Sequence, residues 1–150
     1  MVFLNLVGVS KMQYFHAIVV VLLLIGVVSL FVWCFLYIRL DYYLKAKQKK
    51  PLWMSRLPAL ENMHKAIIKN FYATFFLLCV LMISGVVLAH DVWSDGWITQ
   101  PKWVFALLTW VYFFVMFVFA FNKGLRGTGF FRWLMVGCFF IGLSLLGAYV

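Results

Sequence analysis

The histidines are the residues of this sequence best suited to chemistry, and His16, His64 and His90 lie in different surroundings. A neutral imidazole binds haem iron, copper or zinc through one ring nitrogen. His16 opens one long apolar run and His90 closes another, whereas His64 lies in a basic stretch, where we expect it to be solvated. His16 and His90 are therefore the candidate haem or metal ligands.

The sequence after His90 is rich in groups that often accompany a bound ligand. Two tryptophans, Trp93 and Trp97, alternate there with two carboxylates, Asp91 and Asp95. Indole rings stack on flat ligands such as haem, but tryptophans also form belts at membrane interfaces. Both interpretations stay open, and Trp93 and Trp97 are candidate cofactor-binding residues. Nothing about the two carboxylates specifically favours acid–base catalysis.

The elements that must position these residues are membrane helices. Of the 150 residues, 67% are hydrophobic and 11% are charged, whereas soluble domains have about 45–50% and about 25%. Four apolar runs, approximately residues 15–39, 68–90, 103–122 and 133–150, are long enough to cross a bilayer. Because backbone groups in lipid must bond internally, each run predicts a helix. We expect an all-α membrane protein, a single domain of four transmembrane helices in an antiparallel bundle.

The charge distribution predicts the orientation of this bundle. The formal charge is +9, and the cations concentrate in the connections 39–69 and 123–132, while the middle connection carries Asp91 and Asp95 against Lys102. By the positive-inside rule the two basic connections are cytoplasmic, and both termini lie outside. The expected partner of the cations is the lipid bilayer rather than nucleic acid, and the expected location is a bacterial inner membrane.

This orientation brings the two candidate ligands to one depth. His16 precedes Arg39, and His90 follows Lys69, by about one membrane span. Both imidazoles are thus expected at the outer edge of the bilayer, where two helices could offer them to one haem iron. Copper or zinc binding stays open, and so does simple hydrogen bonding at the headgroups.

Other chemistry has little support in the sequence. Cys34, Cys79 and Cys138 lie singly in apolar runs without a Cys-x-x-Cys pair, which indicates buried thiols rather than zinc ligands or disulfides. No carboxylate lies within a predicted span, although proton-driven transporters usually place one there.

Short motifs in the second half of the chain resemble a known family. They are Ile83-Ser84-Gly85, the outer tryptophans, Pro101-Lys102, residues 106–110, which end in Thr-Trp, and Gly124 to Gly127 around an arginine. Their order and spacing are similar to those of the carboxyl-terminal part of CcsA/HemX-type cytochrome c assembly proteins. The resemblance covers roughly residues 15–150. It implies a haem-handling membrane protein in cytochrome c biogenesis.

The resemblance also bears on individual residues. In that family a histidine at the position of His16 serves as an outer-side haem ligand, so the resemblance implies the same role and a b-type haem as cofactor. The family's second haem histidine would fall near Val118, and His90 matches no recognised ligand position. The family has additional amino-terminal helices, so the expected partners are other membrane subunits, with an apocytochrome or haem donor.

A second resemblance leads to a different function. Four-helix proteins of the CopD/HemJ type have about this length and open with a Phe-His pair, like Phe15-His16. Their third helix is led by a lysine, as Lys102 leads it here. This resemblance implies protoporphyrinogen oxidation or copper handling. A non-catalytic accessory subunit is a third hypothesis, and whether the chain is an enzyme stays open.

The topology is directly testable with reporter fusions. Reporters fused after Lys50 and Arg126 should read as cytoplasmic, and one fused after Asp95 should read as external, because cations are retained on the inner side. A paired reporter set of alkaline phosphatase and green fluorescent protein measures each site twice. An external reading at Lys50 would place His16 and His90 at the inner edge of the bilayer and contradict the predicted orientation.

Overall fold

The computed structural model describes residues 2–47, 52, 56–93, 101–123 and 128–147, and four helices account for nearly all of them. They are α1 (Val2–Lys45), α2 (Leu60–Trp93), α3 (Pro101–Lys123) and α4 (Thr128–Gly147). The described residues contain no strand, so the predicted all-α membrane fold is confirmed. Three helices are long and apolar enough to cross a membrane, and the described apolar part of α4 is Thr128–Ser144.

The first two helices are longer than the apolar runs that predict them. α1 has 44 residues and α2 has 34, which correspond to about 66 and about 51 Å against a hydrocarbon core of about 30 Å. Both helices therefore continue beyond the lipid core. Ion pairs one turn apart support the extensions, because Lys45 Nζ lies 2.7 Å from Asp41 and Lys65 Nζ lies 2.8 Å from Glu61.

The four helices pack around a core that is rich in aromatic rings. α1 contacts α2 and α4, and α3 contacts the same two helices from the other side. Phe71, Phe113 and Phe131 are fully buried. The ring centroids of Phe71 and Phe113 lie 6.2 Å apart, and those of Tyr37 and Phe131 lie 4.6 Å apart. Offset and edge-on ring contacts of this kind add to ordinary apolar packing.

The outward faces of the bundle are as apolar as its core. Large side chains on all four helices, such as Ile25, Phe76, Phe105 and Phe139, are more than three-fifths exposed. In water such a surface would aggregate, but in a bilayer lipid tails cover it. Lipid is as apolar as the core, so burial alone does not select which helix face turns inward.

Gly137 allows α3 and α4 to approach each other closely. A Cβ atom at this position would lie 2.7 Å from Tyr112 Cε1 and 2.9 Å from Phe113 Cε2. The same tyrosine donates a hydrogen bond from its hydroxyl to the Trp133 carbonyl oxygen over 2.7 Å. The two rings therefore occupy the space that any side chain at position 137 would need.

Replacing Gly137 by alanine should destabilise the bundle. The added methyl group must displace two packed rings, and overpacking of this kind costs about 1–3 kcal/mol. The measurement is unfolding of the purified protein in mixed detergent. Gly142→Ala is the matched control, because within the described residues no other side chain or neighbouring helix lies within 4 Å of its Cβ position. Equal stability of the two variants would show that α3 and α4 are not tightly packed at Gly137.

Candidate functional site

Polar side chains connect α1 and α2 at two separate levels. His16 Nδ1 lies 2.9 Å from Ser84 Oγ, and Asn70 Nδ2 donates to Ser29 Oγ over 3.0 Å. From one pair to the other, the chain advances 13 residues along α1 (16 to 29) and 14 residues in the opposite direction along α2 (84 to 70). The two helices therefore run antiparallel in one continuous register, and this register places His16 beside Ser84.

The imidazole of His16 lies against α2 and is half-buried. Its partner Ser84 is 2% exposed and donates its own hydroxyl proton to the Leu81 carbonyl oxygen over 3.0 Å. The ring lies next to Gly85, where an added Cβ atom would lie 3.6 Å from His16 Cε1, an ordinary van der Waals distance. With Nδ1 bound to Ser84, Nε2 is the ring nitrogen with which His16 would bind a ligand.

His90 lies on a different side of α2. It is exposed, and it follows Ser84 by six residues, which is about 9 Å along the helix and about 120° around it. The helix geometry therefore separates His90 from the face that contacts His16. Whether both histidines bind one haem iron stays a prediction. The predictions for Trp93 and Trp97 fall on side chains outside the described part of the chain.

The donor set around His16 fits haem better than a bare metal ion. Zinc sites use three or four protein ligands, but the described residues contain no group of three or more histidine, cysteine or acidic side chains that could surround an ion. In haem the porphyrin already supplies four nitrogens, and the protein adds one or two axial ligands. A single anchored imidazole is enough to bind a haem iron but too little to hold a zinc ion.

Sequence reasoning missed Ser84 as a functional partner, although it used this residue as part of a motif. The available signal was depth, because residues 16 and 84 both lie near the outer ends of predicted spans. Depth alone does not indicate which side chains face each other. The bond from Trp110 Nε1 to Cys79 Sγ, 3.4 Å long, was missed for the same reason.

The three cysteines are free thiols, and none belongs to the site. Cys34 and Cys138 are almost fully buried in the core. Cys79 is partly buried and accepts the hydrogen bond from Trp110 between α2 and α3. Cys34 and Cys138 agree with the prediction of buried thiols, whereas Cys79 is only partly buried.

Charged residues gather at the end of the bundle opposite to His16. The ion pairs Asp41–Lys45 and Glu61–Lys65 lie there, and His64 lies in the same region, 6.2 Å from Tyr37 and 5.4 Å from Phe131 between ring centroids. His64 is thus packed among aromatic rings and not fully solvated as expected. Because His64 and His16 lie at opposite ends, they cannot share a ligand.

Comparison with known proteins gives one consistent result. The sequence model of the family described as "Cytochrome C assembly protein" matches residues 2–150. A cytochrome c biogenesis protein CcsA from Mesostigma viride is 35% identical over 78 residues, which are 49% of this chain and 26% of the relative. The CcsA of Welwitschia mirabilis is 29% identical over 126 residues, or 75% of this chain and 40% of the relative.

A cyanobacterial relative gives a similar picture. The CcsA of Prochlorococcus marinus (strain NATL1A) is 30% identical over 95 residues, covering 58% of this chain and 29% of the relative. The chain therefore spans between about a quarter and two fifths of the length of these relatives. No solved structure matches it.

Proposed function

The chain belongs to the cytochrome c assembly protein family, and from this premise we propose that it handles haem in a membrane during cytochrome c biogenesis. The observation that carries the proposal is the position of His16. Its imidazole lies against α2 with Nδ1 at Ser84, so Nε2 is the atom with which His16 would hold a haem iron.

We propose haem b as the species that the chain binds. Covalent attachment of haem uses a Cys-x-x-Cys-His motif, and the sequence contains no Cys-x-x-Cys pair. A haem ligated by His16 would therefore have no covalent bond between its porphyrin and a cysteine pair of this chain. It would be held by coordination of its iron and by contacts with its ring. Bound there, the iron would supply the coordination chemistry, and the chain's own part would be to hold and orient the ring.

A second ligand to the haem iron would come from His90 or from a partner protein. His90 has the right residue type and the expected depth, and Trp93 and Trp97 follow it as candidates for stacking on a porphyrin. The exposure of His90 and its rotation away from the Ser84 face favour a partner's ligand over His90. We keep His90 as the alternative within this chain.

Other membrane subunits are the proposed partners, together with an apocytochrome or a haem donor. The support is the single anchored imidazole that the described residues offer, which leaves any further ligand of a haem iron to another protein. The CcsA relatives from Mesostigma viride and Welwitschia mirabilis are matched over 26% and 40% of their length. The proposed location is a bacterial inner membrane, with the basic connections 39–69 and 123–132 in the cytoplasm.

An accessory role without haem is the second candidate function. The observation that favours it is Val118, which stands near the position where the family resemblance expects a second haem histidine and is 39% exposed. A valine side chain cannot bind iron. In this case His16 would serve only to connect α1 and α2 through Ser84.

Haem retention by histidine variants separates the two functions. The full chain is purified in detergent, titrated with haem, and bound haem is quantified by its Soret absorbance. His16→Ala should weaken binding by at least about tenfold, because an axial bond is lost. His64→Ala is the matched control, since this histidine lies at the opposite end of the bundle.

The outcomes discriminate clearly between the alternatives. Loss of haem in His16→Ala alone supports ligation by this chain with a second ligand from elsewhere. A comparable loss in His90→Ala makes His90 the second ligand. Full binding in His16→Ala overturns ligation by His16, and no binding by the unmodified chain leaves the accessory function.

A further inference from the structure

Two hydrogen bonds meet at the hydroxyl group of Ser84. One joins Ser84 Oγ to His16 Nδ1 over 2.9 Å, and the other joins Ser84 Oγ to the Leu81 carbonyl oxygen over 3.0 Å. Ser84 is 2% exposed, so water does not readily replace either partner. The arrangement thus links the ring of His16 to the backbone of α2 through a single oxygen atom.

Counting protons assigns a direction to both bonds. A serine hydroxyl has one proton to donate and lone pairs to accept with, and a backbone carbonyl can only accept. The bond to Leu81 therefore uses the Ser84 proton. The bond to His16 then requires that Nδ1 carries a proton and donates it to Ser84 Oγ.

The opposite assignment would break one of these bonds. If the Ser84 proton were donated to an unprotonated Nδ1, the Leu81 carbonyl oxygen would lose its contact with the hydroxyl. A hydrogen bond of ordinary net strength corresponds to a roughly twofold to tenfold preference at equilibrium. The neutral ring should therefore favour the form with the proton on Nδ1 and the lone pair on Nε2.

We propose that Ser84 is a positioning residue that fixes the tautomer of His16, so that Nε2 presents its lone pair to a ligand. The use of that lone pair rests on the proposed haem function, whereas the tautomer itself does not. Metal-binding histidines in proteins commonly donate their other ring N–H to a fixed acceptor, which sets the tautomer and the ring orientation. Ser84 Oγ has this relation to His16.

The tautomer is measured on the full chain without haem. Histidine labelled with nitrogen-15 is incorporated, the protein is placed in lipid nanodiscs, and the signals of His16 are assigned by their loss in His16→Gln. In the unmodified chain Nδ1 should be the protonated nitrogen. Ser84→Ala should lower the ratio of the two tautomers by roughly twofold to tenfold, and Ser84→Thr, which keeps the hydroxyl, should restore it.

A matched control removes a different interhelical hydroxyl. Ser29→Ala deletes the acceptor of the Asn70 hydrogen bond between the same two helices, so it reproduces any general loosening of α1 against α2. The His16 tautomer should be unchanged in this variant. An equal tautomer shift in Ser29→Ala and Ser84→Ala would overturn the specific role of Ser84, and so would a His16 ring that is protonated on Nε2 in the unmodified chain.

A haem titration of the same variants separates this inference from the proposed function. Ser84→Ala should weaken haem binding by about 10- to 100-fold, as loss of a partner that orients a ligand does, while Ser84→Thr and Ser29→Ala bind as the unmodified chain does. Haem affinity that is unchanged in Ser84→Ala overturns the positioning role and leaves the haem function intact. If the tautomer responds as expected but the unmodified chain binds no haem, the haem function fails and the control of the tautomer by Ser84 stands.

Discussion

Polar contacts between α1 and α2 are the interactions on which the rest of this structure depends. Both helices are apolar around most of their surface, and lipid competes equally well for any apolar face. The contacts of His16 with Ser84, and of Asn70 with Ser29, are directional and cannot be replaced by lipid tails. They select one register and one rotation for the two longest helices. Aromatic side chains of this pair, such as Tyr37 and Phe71, form part of the surface on which α3 and α4 pack.

The packing of α3 and α4 depends more on the shapes of their side chains than on polar contacts. α3 and α4 meet where Gly137 leaves room for the rings of Tyr112 and Phe113, and the Phe71 ring contacts Phe113 on α3 and Phe130 on α4. Close-packed aromatic surfaces of this kind tolerate few alternatives, because a shift of one residue changes every ring contact. These ring contacts join α2, α3 and α4, and Phe71 is 13 residues, about 20 Å, from Ser84 along α2.

The site around His16 is small, and the number of ligands that it offers limits what it can bind. One anchored imidazole is too few protein ligands for a closed metal site, but it is a normal axial ligand for a haem. Within the described residues the chain therefore offers a partial site. A haem-handling role in the cytochrome c assembly family is consistent with this, because transfer of a ligand between proteins requires a site that another protein can complete.

The sequence by itself determined the membrane helices, their all-α character and the resemblance to cytochrome c assembly proteins, and it predicts one depth for His16 and His90. These depend on the composition and on the length of the apolar runs, which are visible directly in the sequence. Only the tertiary structure decided that His16 faces Ser84, that His90 lies on another side of α2, and that Gly137 is where two helices touch. A helix that is apolar on every side has no periodic signal to indicate which face turns inward. Its rotation about its own axis is set only by hydrogen bonds and aromatic packing with the neighbouring helices.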